Sequence, residues 1–359
     1  MNTLITRVIK LQNKQFDINN EKMTETQLNK KINKELVTEF RAKDQLFPFL
    51  STMIDLLKLG PISIPIGVCL FLMMYPAMLN LQFSELKKLG KNPKPIILTL
   101  VSNWIIAPFI GLLMANIFLQ GHPQLIIAII LLSSSPCTAM VLVWGWLARG
   151  NQEQNVINTS LNTITIIFLY TPLVSLLTGI QNIPINQWLL IISLIFFIGL
   201  PLILGLTSKR FLISSKGEKW FEDIYRPAVG KISIVALLST LIVLFTLNGD
   251  VLLKNPTLLL LITIPLLVGF AIVLGYNILI TRLFRLKYKK AIITVIIGSS
   301  SHFEIAIATA VAMFGVGSIA ALGTTMGLFW EVPVMLSMVY LGRYLGKINF
   351  WKSESEKDK

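Results

Sequence analysis

From Pro61 to Arg343 long apolar runs alternate with short polar connections. The runs fall at 61–80, 95–119, 125–147, 156–179, 187–206, 229–248, 257–281, 291–314 and 319–341. Each is close to or above the roughly 20 residues that a helix needs to cross the hydrocarbon core of a bilayer. The short alternating segments of a transmembrane barrel do not occur. The pattern predicts an all-α integral membrane protein of about nine transmembrane helices, occupying residues 61–342.

Two of the runs are interrupted by the same polar triplet. "SSSPCTAMVLVW" begins at Ser133 in the third run and "SSSHFEIAIATAV" at Ser299 in the eighth. Polar groups at membrane depth need partners, so such interruptions are tolerated where they line a cavity or pack on protein. Runs three and eight cross in opposite directions, which makes the two motifs antiparallel. Aligning Ser133, Ser134 and Ser135 with Ser299, Ser300 and Ser301 sets Pro136 opposite His302, Cys137 opposite Phe303 and Thr138 opposite Glu304. This is the pattern of an inverted-repeat transporter with two crossing discontinuous helices, whose half-helix ends meet near the bilayer midplane. The competing reading is two unrelated serine-rich kinks, their hydroxyls bonded back to the preceding turn. In a 5+5 repeat with the fourth helix of each half broken, runs five to nine make a complete second half. The first half then lacks its first helix, where a polar segment stands instead.

That segment, residues 1–45, is rich in Asn, Lys and Glu and reads as a polar N-terminal extension. Residues 46–60, "LFPFLSTMIDLLKLG", read as an interfacial or re-entrant element. Basic residues follow the odd-numbered runs: Lys87, Lys88, Lys91, Lys94, Arg149, the stretches 209–231 and 282–290, and the tail 343–359. The connections after even-numbered runs hold one, Lys254. By the positive-inside rule the odd-run side and the C-terminal tail are cytoplasmic. An outside N-terminus would then carry ten basic residues before Pro61, a conflict that an extra membrane element within 46–60 would relieve.

Composition sharpens the class. The chain is 54% hydrophobic and 14% charged, with a mean hydropathy of +0.70, which excludes an ordinary soluble domain. The net charge of +14 needs no nucleic acid, because loops facing anionic headgroups account for it.

Apart from Lys231 at one end of the sixth run, no lysine or arginine lies in the nine runs, and Glu304 and Glu331 are their carboxylates. A carboxylate at a helix centre costs about 2.5–3.5 kcal/mol on insertion scales, so such residues face cavities and bind protons or ions. Glu304 reads as a proton or cation site. Glu331, before Val332 and Pro333, reads either as a second proton site or as a buried structural acid. His302 either lines the cavity or caps the half-helix; its two-residue spacing from Glu304 puts the two on different helix faces. Cys137 either packs as a small hydrophobe or offers sulfur to a soft solute. Asn158, Thr159, Asn162 and Thr163 share one helical stripe, facing a cavity or joining helices. Trp144 and Trp146 read as interfacial anchors. No nucleotide loop, metal-ligand cluster or nucleophile–base constellation is present, so neither an enzyme nor a cofactor is expected.

At "IPIGVCLFLMMYP" (64–76), "NW" (103–104), "CTAMVLVWGWLARG" (137–150), "HFEIAIATAVAMFG" (302–315) and "EVPVML" (331–336), the chain resembles a known family. These segments are similar to those of the arsenite efflux permeases of the third arsenical-resistance class, in the bile acid/sodium symporter superfamily. The resemblance implies a panel and a core of helices, with two broken helices crossing in the core. It implies a secondary transporter in the cell membrane extruding arsenite, and by extension antimonite, in exchange for protons. By motif position Cys137 matches the family's essential cysteine, the arsenite contact, and Glu304 its essential acid. Ser133–Ser135 and Ser299–Ser301 then line the solute site, with His302 and Glu331 beside the coupling acid. Three departures stand out: Pro136 where the family has arginine, His302 where it commonly has asparagine, and no first helix. A nine-span form exists in the bile acid branch. Two alternatives keep the architecture: a sodium- or proton-coupled symporter of an organic anion, and a non-transporting sensor signalling through residues 1–45.

Overall fold

The computed structural model describes residues 58–59, 62–79, 81, 93–138, 140–254, 256–315 and 318–352. The expectations for 1–45, and for all of 46–60 except Lys58 and Leu59, lie outside the described residues. The chain enters through a two-residue antiparallel pairing, β1 (Lys58–Leu59) with β2 (Ile62–Ser63). Every other element among the described residues is helical.

The apolar runs become helices with little shift in position. They are α1 (Ile64–Leu79), α2 (Pro93–Phe118), α3 (Pro123–Ser133), α4 (Met140–Leu147) and α5 (Gln152–Ile180). There follow α6 (Gln187–Lys216), α7 (Arg226–Lys254), α8 (Pro256–Leu283), α9 (Tyr288–Ser299), α10 (Phe303–Phe314) and α11 (Ile319–Lys347). Local chemistry sets several ends. Asn151 accepts from the Gln154 N–H at 2.8 Å to start α5, and Ser318 accepts from Ala321 N–H at 3.1 Å to start α11, both N-cap contacts. Gly217, at φ 88°, ends α6 in a conformation that glycine reaches without strain.

Among the described residues, α2, α5, α6, α8 and α11 are long and apolar enough to cross a membrane. The third and eighth runs are not single helices. Halves of 8 to 12 residues reach about 12–18 Å, short of a hydrocarbon core of about 30 Å. Each crosses only by placing two halves in series, with its break in the interior. The protein is an all-α, multi-pass membrane protein.

Two apolar clusters divide the halves by pairing them crosswise. One gathers Leu125–Leu132 of α3 with Phe303–Val311 of α10, together with residues of α1, α5 and α6. The other gathers Val141 and Trp144 of α4 with Ala291–Ile297 of α9, and with Met335, Met338 and Val339 of α11. Helix α11 reaches both and is notched where it meets α3. A Cβ on Gly323 would sit 2.7 Å from Ala128 Cβ, and one on Gly327 would sit 2.5 Å from Leu132 Cδ2. This glycine pair, four residues apart, lets the α3 side chains press close to the α11 backbone, as small residues do in membrane helix pairs generally. Trp146 is exposed as an anchor would be, whereas Trp144 is buried in the second cluster. Beyond α11 the chain folds back. Trp351 is buried, donates through Nε1 to Thr281 Oγ1 at 3.1 Å and packs on Tyr288.

Candidate functional site

The two breaks satisfy each other. Past Ser133 the chain leaves helical geometry, and Pro136 has no N–H to continue it. Pro136 and Ser301 form an antiparallel bridge. His302 N–H donates to Ser135 O at 2.6 Å and Cys137 N–H donates to Ser300 O at 3.3 Å. The crossing is thus a miniature antiparallel ladder between four half-helices. The C-terminal ends of α3 and α9 and the N-terminal ends of α4 and α10 all lie at it, so partial charges of both signs meet there.

The serines behave differently at the two breaks. Ser133 Oγ donates to Ile130 O at 3.4 Å, and Ser135 Oγ donates to Leu131 O at 2.9 Å and Leu132 O at 3.0 Å. These are the back-bonds of a serine kink. Ser135 Oγ also reaches His302 O at 3.2 Å. The second triplet bonds to other helices instead. Ser300 Oγ donates to Glu331 Oε1 at 2.5 Å, Ser301 N–H donates to the same oxygen at 3.1 Å, and Ser301 Oγ donates to Oε2 at 2.6 Å. Glu331, on α11, therefore binds the second break through three hydrogen bonds.

Glu304 lies in the first turn of α10, where the helix dipole favours an acid. His302 Nδ1 is 2.8 Å from Glu304 Oε2, and Nε2 is 2.7 Å from Thr138 Oγ1. The spacing argument had set His302 and Glu304 on different faces. They meet because His302, at φ −100° and ψ 76°, precedes the helix, so helical periodicity does not apply to it. Its side chain caps no helix N–H; it joins the two breaks instead.

Cys137 is fully buried in the α4–α9 cluster. Its carbonyl accepts from Asn162 Nδ2 at 3.2 Å, while Asn162 Oδ1 accepts from Asn103 Nδ2 at 3.2 Å. Asn158 Nδ2 donates to Thr99 Oγ1 at 3.0 Å. The polar stripe of α5 thus ties α2 and the first break together. Sequence reasoning missed Asn277, a buried amide within the apolar α8. Its Nδ2 lies 2.8 Å from Ser102 Oγ and 3.0 Å from Val273 O, Gly298 O and Ser299 Oγ. It covers the carbonyl end of α9 exposed by the break. The signal was a lone asparagine in "GYNILI", and its partners are not sequence neighbours. Ser102 opens a π-helical turn of α2, Ser102–Ile106, a local distortion that often accompanies functional sites.

A cleft opens onto the crossing between α2, α3 and α8. Ser133, Ser135, Pro136, Ser299, Ser300 and Ser301 line its inner end, and Asn103, Gly111 and Phe270 its walls. It has room for a few waters or a small neutral solute. Cys137, His302, Glu304 and Glu331 stand behind the serines and do not line it.

Residues 67–255 match the profile described as the Sodium Bile acid symporter family. The chain belongs to that family. Membership of the sodium bile acid symporter family makes the crossed helices part of a transporter. Over 329 residues the chain is 37% identical to an uncharacterized transporter of Synechocystis sp., covering 86% of this chain and 85% of that one. Over 305 residues it is 36% identical to the arsenical-resistance protein Acr3 of Alkaliphilus metalliredigens, covering 82% and 85%. An uncharacterized sodium-dependent transporter of Bacillus subtilis is 27% identical over half of this chain.

Proposed function

We propose that this transporter extrudes arsenite, and by the same chemistry antimonite, from the cytoplasm across the plasma membrane in exchange for protons. The observation that carries the reading is Cys137 at the crossing of the two broken helices, its N–H bonded to Ser300 O, in a chain 36% identical to an arsenical-resistance protein. Sulfur suits a soft trivalent centre. The serine-lined cleft admits the neutral hydroxide, the solute contacts Cys137 after the halves part, and Glu304 exchanges a proton. His302 and Glu331 hold the coupling acid and the second break in place. Rocking of the crossed core against the other helices gives alternating access, with the C-terminal tail on the cytoplasmic side. No catalysis and no cofactor enter this cycle.

The test is arsenite uptake by everted membrane vesicles under an imposed proton gradient, comparing the native chain with Cys137→Ser and Glu304→Gln. Native accumulation, abolished by both substitutions at equal protein levels, is expected. Native vesicles without gradient-dependent uptake would refute the assignment. One observation favours a second reading: the cleft presents hydroxyls and keeps the thiol behind them. Oxygen ligands of this kind suit symport of an organic anion with sodium, and the same vesicles under a sodium gradient test it.

A further inference from the structure

Thr138 and His302 belong to different breaks, and their side chains meet across the crossing at 2.7 Å. The other ring nitrogen of His302 lies 2.8 Å from Glu304 Oε2. All three side chains are buried. A neutral imidazole is a donor at one nitrogen and an acceptor at the other, whereas the protonated ring donates from both. With Glu304 as a carboxylate, Nδ1–H donates to it and Nε2 accepts from the Thr138 hydroxyl. A proton gained by the ring makes Nε2 a donor. Thr138 must then turn from donor to acceptor, and its hydroxyl proton must find another oxygen. Thr138 directly follows Cys137 and leads into α4.

We propose that Thr138 is a positioning residue that transmits the proton occupancy of the His302–Glu304 pair, on one broken helix, to the solute position beside Cys137 on the other. The inference rests on the reading of the site as a proton-exchanging transporter and adds the route of coupling. The link is a reversal of one hydrogen bond. It therefore requires a hydroxyl, which serine supplies and valine does not.

Other titratable groups face this pair from the described elements around it. Glu331 of α11 stands near Glu304, but its oxygens are engaged by Ser300 and Ser301. The Cys137 thiol lies at the first break, Tyr170 of α5 approaches Thr309 of α10, and Cys69 lies on α1, which packs against α10. Helix α3 and the segment 187–199 of α6 bring no titratable side chain. Among these described groups, His302 is the one whose ring bonds both breaks.

The chain contains two histidines, and His122 is exposed, so His122→Asn leaves His302 as the single imidazole signal. In the full-length protein with ¹⁵N-labelled histidine, the neutral ring is expected to show a protonated Nδ1 and a bare, hydrogen-bonded Nε2. Thr138→Val moves Nε2 to its unbonded shift, and Thr138→Ser restores it. In everted vesicles Thr138→Val is expected to lose about tenfold of gradient-driven arsenite uptake, the worth of one buried hydrogen bond. Its pH profile flattens while arsenite-for-arsenite exchange stays measurable, and Thr138→Ser recovers the profile. A native pH profile in Thr138→Val, an Nε2 signal indifferent to that substitution, or a Thr138→Ser chain as impaired as the valine variant would overturn the proposal. Native vesicles inert to arsenite, with the Thr138-dependent ring signal intact, would refute the choice of solute while upholding the Thr138–His302 bond.

Discussion

The clamp between Glu331 and the second break yields a measurable coupling energy. Three donors converge on one carboxyl group: Ser300 Oγ at 2.5 Å, Ser301 Oγ at 2.6 Å and Ser301 N–H at 3.1 Å. Replacing both serines by alanine removes two of these bonds at about 1–2 kcal/mol each, so Ser300→Ala/Ser301→Ala is expected to cost about 2–4 kcal/mol. Glu331→Ala strands the same donors. The hydroxyls can rotate toward other acceptors but the Ser301 N–H cannot, so that change costs about 2–4 kcal/mol as well. Once the carboxyl is gone, the serines have little left to lose there. The triple variant should therefore fall well short of the sum, with a coupling of about 2 kcal/mol or more. Reversible unfolding of the four proteins in mixed detergent micelles, followed by tryptophan fluorescence, measures the cycle. Additivity within about 0.5 kcal/mol would refute the clamp.

Three further outcomes follow from the packing, and the same unfolding assay reads each. Asn277→Asp sets carboxylate oxygens against Val273 O and Gly298 O, so it should destabilise more than Asn277→Ala, itself costing about 1–3 kcal/mol; the reverse order would show that the amide does not cap α9. Gly323→Ala brings a methyl group to 2.7 Å from Ala128 Cβ, which only backbone movement can relieve, and should cost about 1–3 kcal/mol. Trp351→Ala empties a buried site between Thr281 and Tyr288 and should cost about 3–5 kcal/mol; a change below about 0.5 kcal/mol would mean that the returning chain end is not held.

The breaks were legible because hydrophobic periodicity tolerates few polar residues at membrane depth, and the two serine triplets violate it at matching places. Glu304 and Glu331 were legible as membrane carboxylates for the same reason. The division of labour between them was not. Glu331 grips the second break from α11, and nothing in "EVPVML" names Ser300 and Ser301 as its partners. His302 was misjudged in its contacts because the spacing rule assumes a continuous helix, which the break removes. Asn277 and Ser102 escaped notice because each is a single small polar residue in an apolar run, its meaning set by residues far along the chain. The antiparallel pairing of the triplets anticipated Thr138 opposite Glu304, but the contact runs through the histidine between them.

The two ladder bonds at the crossing also constrain how the molecule comes into being. Ser135 O is answered by His302 N–H and Ser300 O by Cys137 N–H, so each break closes only when the other is present. The ribosome makes the first break long before the second, with α5 to α9 still to be threaded into the bilayer. Throughout that interval the segment around Pro136 must be served by water or by the insertion machinery, and its half-helices have no crosswise partners. The last third of the chain thus completes the third run after the fact. A nascent chain arrested before Ser299 is expected to leave its first break accessible to aqueous thiol reagents at Cys137, which the finished protein holds fully buried.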